Sequence, residues 1–227
     1  MPRPRASRRP SPARQPLSLA FGSRAKVGLL RILTSAGAPM TERDAARRAG
    51  LDVRSAQLAL DDLVPLGLVR LEEAGRAHMA RFNASHYLAP AVHQLFRREW
   101  GTFEALRHRI VAGLKAGTRD GDLVSVALFG SVARSTDSAE SDADILVIVG
   151  TANARERVQR AVPALREELA VRFGVKLSVL AYTRAAATLR WRRGLPLFTN
   201  AIDDALVLLG PPLRDVLEAR PSPAGTS

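Results

Sequence analysis

The segment LFGSVARSTDSAESDADILVIV, residues 128–149, holds the residue types best suited to chemistry. Gly130 and Ser131 close one apolar run, and Asp142 and Asp144 open the next. A glycine lets the backbone approach a ligand closely. The N–H groups of a helix start, with the Ser131 hydroxyl, suit a phosphate. Asp142 and Asp144 are spaced i, i+2, which on a strand puts both carboxylates on one face. Carboxylates beside a core are costly unless something compensates them. Two converging acceptor-only groups need a cation, and hard divalent ions such as Mg²⁺ or Mn²⁺ choose oxygen ligands. A phosphate site beside a divalent cation is suited to phosphoryl or nucleotidyl transfer. A plainer reading stays open, with Asp142 capping a surface loop and Asp144 merely starting a strand. Arg134 also has two readings: a contact to a triphosphate, or an ordinary solvated arginine on a helix's first turn.

The elements that must position these residues alternate from Asp120 onward. Leu123 to Phe129 and Ala143 to Val149 are short apolar runs that predict strands. Val158, Val162, Leu165, Leu169 and Val171 predict an amphipathic helix over residues 155–173. Val175 to Tyr182 predicts a third strand, followed by short helices near 184–193 and 197–203 and an edge strand at 205–209. A short helix from Pro211 then leads into a polar tail.

The Gly-Ser, spacer, Asp-x-Asp pattern resembles the nucleotidyltransferase superfamily typified by DNA polymerase β, in its minimal and antibiotic-modifying branch. Phe129, Gly130, Ser131, Ala133, Arg134, Ser141, Asp142 and Asp144 match that branch, and Ser135 replaces its usual glycine. The resemblance covers about Leu123 to Leu209. It implies a nucleoside triphosphate as substrate or ligand, with Gly130, Ser131 and Arg134 on the nucleotide. It also implies Asp142 and Asp144 as catalytic, metal-holding residues. Active members usually carry a third carboxylate on a neighbouring strand. Here that strand, GVKLSVLAY, offers Lys176 and Ser178 on one face and no acid. Glu167, Glu168, Asp203 and Asp204 are acids that folding could bring near.

Ahead of this unit, Val27, Leu30, Ile32 and Leu33 form one helical face. Thr41 caps a short helix that Gly50 stops. Val53, Ala56, Leu60, Leu63 and Val64 recur at helical spacing, and two strands follow around a turn at residues 73–76. Three helices and a hairpin resemble a winged helix-turn-helix domain. In that plan Arg54, Ser55 and Gln57, with Arg47 and Arg48 from the preceding helix, face DNA. Asp61 and Asp62 on the same side oppose this, so a docking or dimerising role stays open, a homodimer included. Residues 86–119 predict a connecting helix, with a break expected near Gly101. His86, His93 and His108 are scattered and carry no assigned chemistry.

The expected fold class is therefore α+β: a winged helix-turn-helix domain at 21–85, a helical connector at 86–119 and a mixed-sheet nucleotidyltransferase-like α/β domain at 120–212. An Arg/Pro-rich tail at 1–20, expected to be disordered, and a C-terminal tail at 213–227 flank them. That first tail lacks a signal peptide's apolar region and an amphipathic transit-peptide pattern. The chain has 227 residues, no cysteine and a formal net charge of +12. Disulfides and thiolate metal sites are excluded, and a cytoplasmic setting fits. No apolar run reaches the roughly 20 residues of a membrane span. The charge suits an anionic partner such as nucleic acid, while an arginine-rich composition from GC-rich coding explains it equally.

Two functions follow. One is a nucleotidyltransferase moving a nucleoside monophosphate to a hydroxyl of RNA or protein, with a DNA-binding winged helix, as in toxin–antitoxin modules. The other is a transcription regulator whose degenerate nucleotidyltransferase domain only binds nucleotide, which the missing third acid favours.

Overall fold

The computed structural model describes residues 23–74, 77–138 and 140–219. The tail expected at residues 1–20 lies outside them. The chain divides into two compact units between Thr102 and Phe103.

The first unit begins with helix α1 (Arg24–Ser35), short strand β1 (Met40–Thr41), helix α2 (Glu42–Ala49) and helix α3 (Val53–Leu63). Strands β2 (Val69–Ala74) and β3 (Ala77–Phe82) form a hairpin, and β1 adds to its far side in the order β1-β3-β2. Local chemistry sets the helix boundaries. Thr41 Oγ1 accepts the Asp44 N–H at 3.1 Å, and Asp52 Oδ1 accepts the Ser55 N–H at 2.8 Å. Each bond satisfies an amide that the helix leaves without an internal acceptor. The core gathers Leu29, Leu33, Ala45, Ala56, Leu60, Leu63, Val69 and Phe82.

Helix α4 (Ala89–Ala116) runs unbroken through Gly101, where the sequence predicted a break. One glycine costs a helix only about 1 kcal/mol, and the buried side chains on either side of it, Phe96 and Leu106, outweigh that.

The second unit is a four-stranded sheet in the order β6-β5-β4-β7. Its strands are β4 (Leu123–Phe129), β5 (Ala143–Val149), β6 (Leu177–Thr183) and β7 (Leu206–Leu209). β4 is antiparallel to β5 and to β7, while β5 and β6 are parallel. The sheet is mixed because a parallel neighbour needs a crossover. Helix α6 (Ala152–Phe173) supplies it, between an N-cap at Thr151 and a left-handed C-cap at Gly174. Val171, read from sequence as part of its apolar stripe, is 82% exposed. It lies two positions past Leu169, about 200° round the helix.

One sheet face, with Val126, Leu128, Ile145 and Val147, packs on α6 and on Leu106, Ile110 and Leu114 of α4. The other face, with Ala127, Phe129, Leu146 and Ile148, packs on helices α7 (Arg184–Arg192), α8 (Pro196–Asp204) and α9 (Leu213–Glu218). Helix α9 lies where the sequence suggested a short helix from Pro211, and within the stretch drawn as a tail at 213–227 its Leu213, Val216 and Leu217 are buried. Among the described residues, no helix is long and apolar enough to cross a membrane.

Asp122 ties the unit together at the foot of β4. Its carboxylate accepts two bonds from the Arg157 guanidinium, both at 2.7 Å, and one from the Arg119 N–H at 2.8 Å. Arg157 first, and then the Arg119 amide, hold its pKa down at about 2, against an ordinary 3.8. A depressed carboxylate stabilises the fold above its unfolded pKa and loses that contribution as pH falls through the folded one. Asp122→Asn is therefore expected to melt below wild type at neutral pH. Thermal melts across pH should show the gap closing between about pH 4 and pH 2; a gap that stays constant there would contradict the assignment.

Candidate functional site

The site is set by strand register. Phe129, the last residue of β4, pairs with Asp144 on β5, and Asp144 pairs in turn with Ser178 on β6. Residues directly opposite in a sheet share a face, so Asp144 and Ser178 stand side by side at one end of the sheet. Asp142 precedes β5 by one residue and is exposed, while Asp144 is half-buried.

Gly130 follows at once in a single-turn helix, α5 (Gly130–Ala133), with φ of 75°. That is the left-handed region where glycine carries no steric cost. A Cβ there would stand 2.8 Å from Asp144 Oδ2. Glycine at this position thus serves both the turn and the close approach of the backbone to the carboxylate. Ser131 follows it in α5, with its carbonyl accepting the Thr136 N–H at 2.9 Å.

Ser135, which stands where the related sequences have glycine, adopts φ of 58°. Among the described residues it is the one non-glycine residue at positive φ. The motif's usual glycine thus has a backbone reason, and this chain keeps the turn at the cost of strain.

The electrostatics of the pair favour a cation. Desolvation raises the Asp144 pKa above its ordinary 3.8, and the charge of Asp142 raises it further, while the Ser178 hydroxyl opposes both. Two carboxylates near enough to repel, one partly desolvated, fit a divalent ion that takes oxygen ligands. Among the described residues no group of three or more His, Cys, Asp or Glu could hold a metal. The neighbouring-strand position beside Asp144 belongs to Ser178, and Lys176 lies just before β6.

Of the other acids, Glu167 is exposed on α6, and Glu168 and Asp203 are engaged elsewhere. Glu168 accepts from Arg109 at 2.6 Å, and Asp203 lies 3.6 Å from Arg214. Asp204 comes to the site, but as the partner of Arg134, whose Nη1 it holds in an ion pair. The guanidinium next to the turn is therefore clamped to α8, a contact that sequence separation hides. Strand parity put Lys176 and Ser178 on one face, and the register puts Ser178 beside Asp144.

The residues predicted to face DNA lie in the first unit, on α2 and α3. Arg48, Arg54 and Gln57 are exposed there. Arg47 is paired with Asp44 at 2.7 Å, and the Ser55 hydroxyl donates to Asp52 at 2.6 Å.

Residues 115–187 match the nucleotidyltransferase domain family, a span that takes in β4, α5, β5, α6 and β6. No curated protein matches the chain. Among solved structures it is similar to a toxin–antitoxin complex with AMP-PNP, at 22% identity over 48% of this chain and 77% of that one, with a TM-score of 0.34. It is also similar to a mutant of the MntA–HpeT toxin–antitoxin pair, at 19% identity over 48% of this chain and 76% of that one, with a TM-score of 0.33. A third likeness is to human N-acetylserotonin methyltransferase with SAM, at 16% identity over 72% of this chain and 55% of that one, with a TM-score of 0.27.

Three substitutions test this geometry. Gly130→Ala should cost about 1–2 kcal/mol in denaturant unfolding, through its positive φ alone, and more if the Asp144 carboxylate cannot shift. Ser135→Gly should gain about 1 kcal/mol in the same assay, by relieving the left-handed strain. Asp144 has a raised folded pKa, so its charge disfavours folding at neutral pH and ceases to do so once protonated. Asp144→Asn should therefore melt above wild type at pH 7, with the gain vanishing as pH falls below the Asp144 pKa.

Proposed function

We propose that the chain is a divalent-metal-dependent nucleotidyltransferase that moves a nucleoside monophosphate from a nucleoside triphosphate to a hydroxyl of a macromolecule, RNA or protein. The observation that carries this reading is Asp144, near the start of β5, against the Gly130 turn, with Asp142 two residues before it. Gly130 and Ser131 present backbone and hydroxyl to the phosphates. Asp142 and Asp144 would hold Mg²⁺ or Mn²⁺, which supplies charge neutralisation and Lewis acidity on the triphosphate when bound. The acceptor oxygen forms a bond to the α-phosphorus, the bond to the bridging oxygen breaks, and pyrophosphate leaves. The acceptor's proton passes to solvent, since Ser178 is no general base at neutral pH. Asp204 holds the Arg134 head beside the turn, where release from the ion pair would free it for a phosphate.

A second reading rests on one specific observation, the Ser178 hydroxyl in place of a carboxylate beside Asp144. In that reading the domain binds nucleotide without turnover and the protein is a transcription regulator. Under either reading the first unit, with its three helices and hairpin, binds DNA as a winged helix would. Membership of a toxin–antitoxin pair belongs to the first reading, where a macromolecular target suits such a fusion.

The deciding assay incubates the protein with Mg²⁺ and each α-³²P-labelled nucleoside triphosphate, alone and with bulk tRNA or cell lysate. Transfer of label should appear in wild type and fall at least about 100-fold in Asp142→Ala/Asp144→Ala. Nucleotide binding with no transfer would select the regulator. Equal ATP–Mg²⁺ affinity in wild type and the double mutant would remove the site.

A further inference from the structure

A cleft in the first unit has a lining of one charge sign. A hollow of about 280 Å³ is lined by Arg70 and Arg81 of the hairpin, with Phe82 and His93. It shares His93 with a second, open hollow lined by Arg97 and Arg98 of α4. Neither hollow has an Asp or Glu among its described lining residues.

Arg70 and Arg81 stand directly opposite each other in the β2–β3 register. Like charges so placed destabilise a hairpin unless another charge offsets them. Arg81 reaches Glu72 at 3.2 Å across a half-exposed pair. Arg70, Arg97 and Arg98 are exposed and make no ion pair among the described residues. The face expected from sequence to meet DNA is different. There Arg47 is paired with Asp44 and Ser55 is turned onto Asp52, so that Arg48 and Arg54 stand exposed among four acids, with Asp61 and Asp62 further along α3.

We infer that this cleft, rather than the exposed side of α3, docks the phosphate backbone of duplex DNA. The inference rests on the reading that the first unit binds DNA, and it names the surface. Guanidinium groups match phosphate oxygens in pairs. Single strands are held by stacking bases on free aromatic rings. Here Phe82 is 6% exposed and meets the His93 ring edge-on at 4.9 Å, so neither ring offers an open platform. A surface of this kind reads backbone and gives binding with little sequence preference and a steep salt dependence.

The test is fluorescence anisotropy of the full chain with a labelled 30-base-pair DNA duplex between 50 and 200 mM KCl. Arg70→Ala/Arg97→Ala/Arg98→Ala should weaken binding about tenfold or more at low salt and flatten the slope of log K against log salt by about 2–3. Circular-dichroism melts check that the fold is intact, and scrambling the duplex sequence should change little. An unchanged slope in this variant would overturn the inference. So would a loss carried instead by Arg48→Ala/Arg54→Ala, which would leave the DNA reading standing on the α3 face. Tighter binding to single-stranded DNA, or to duplex RNA, would also overturn it. No duplex binding by wild type would remove the DNA reading itself.

Discussion

The candidate site depends on one close approach, the backbone of Gly130 against the carboxylate of Asp144. The antiparallel register of β4 and β5 puts Phe129 opposite Asp144, so the next residue must turn immediately over that carboxylate. With φ of 75° and 2.8 Å between a hypothetical Cβ and Asp144 Oδ2, any larger residue pushes on the carboxylate or on the turn. The Gly130 turn and the Asp144 carboxylate are thus held together by one register.

That construction sits at the margin of two cores. Along β5, Ala143, Ile145, Val147 and Val149 face α4 and α6, while Leu146 and Ile148 face α7, α8 and α9. Both faces are covered because the β5–β6 crossover puts α6 on one side and the later helices close the other. Asp144 begins the second row before the covering helices seal it. Its half-burial raises its pKa, and it stays partly exposed at the sheet's end.

Much of the positive charge is structural. Arg31 clamps Glu99 with bonds of 2.6 and 2.9 Å, and Glu99 is only 4% exposed. Such a pair is costly to break, because one partner alone would remain as a buried charge. Arg157, Arg109 and Arg134 are likewise spent on Asp122, Glu168 and Asp204. Among the described residues, arginines left without an ion pair in the first unit include Arg70 on the hairpin, Arg97 and Arg98 on α4, and Arg48 and Arg54 on α2 and α3.

The sequence by itself determined the elements and the chemistry of the motif. The cap at Thr41, the near-continuous apolar runs of β4 and β5, and the i, i+2 spacing of Asp142 and Asp144 are local, and local rules read them. The absence of an acid on β6 was equally legible, since it is a matter of composition. Only the tertiary structure decided which residues meet. That Asp204 would hold Arg134, that Arg109 would hold Glu168, and that Ser178 would stand level with Asp144 depend on crossovers and registers between segments far apart in the chain. Continuity of α4 through Gly101 was decided there as well, because burial on both sides outweighs a local propensity. The positive φ at Ser135 lay between the two: the sequence showed a missing glycine, and only the backbone showed why a glycine belongs there.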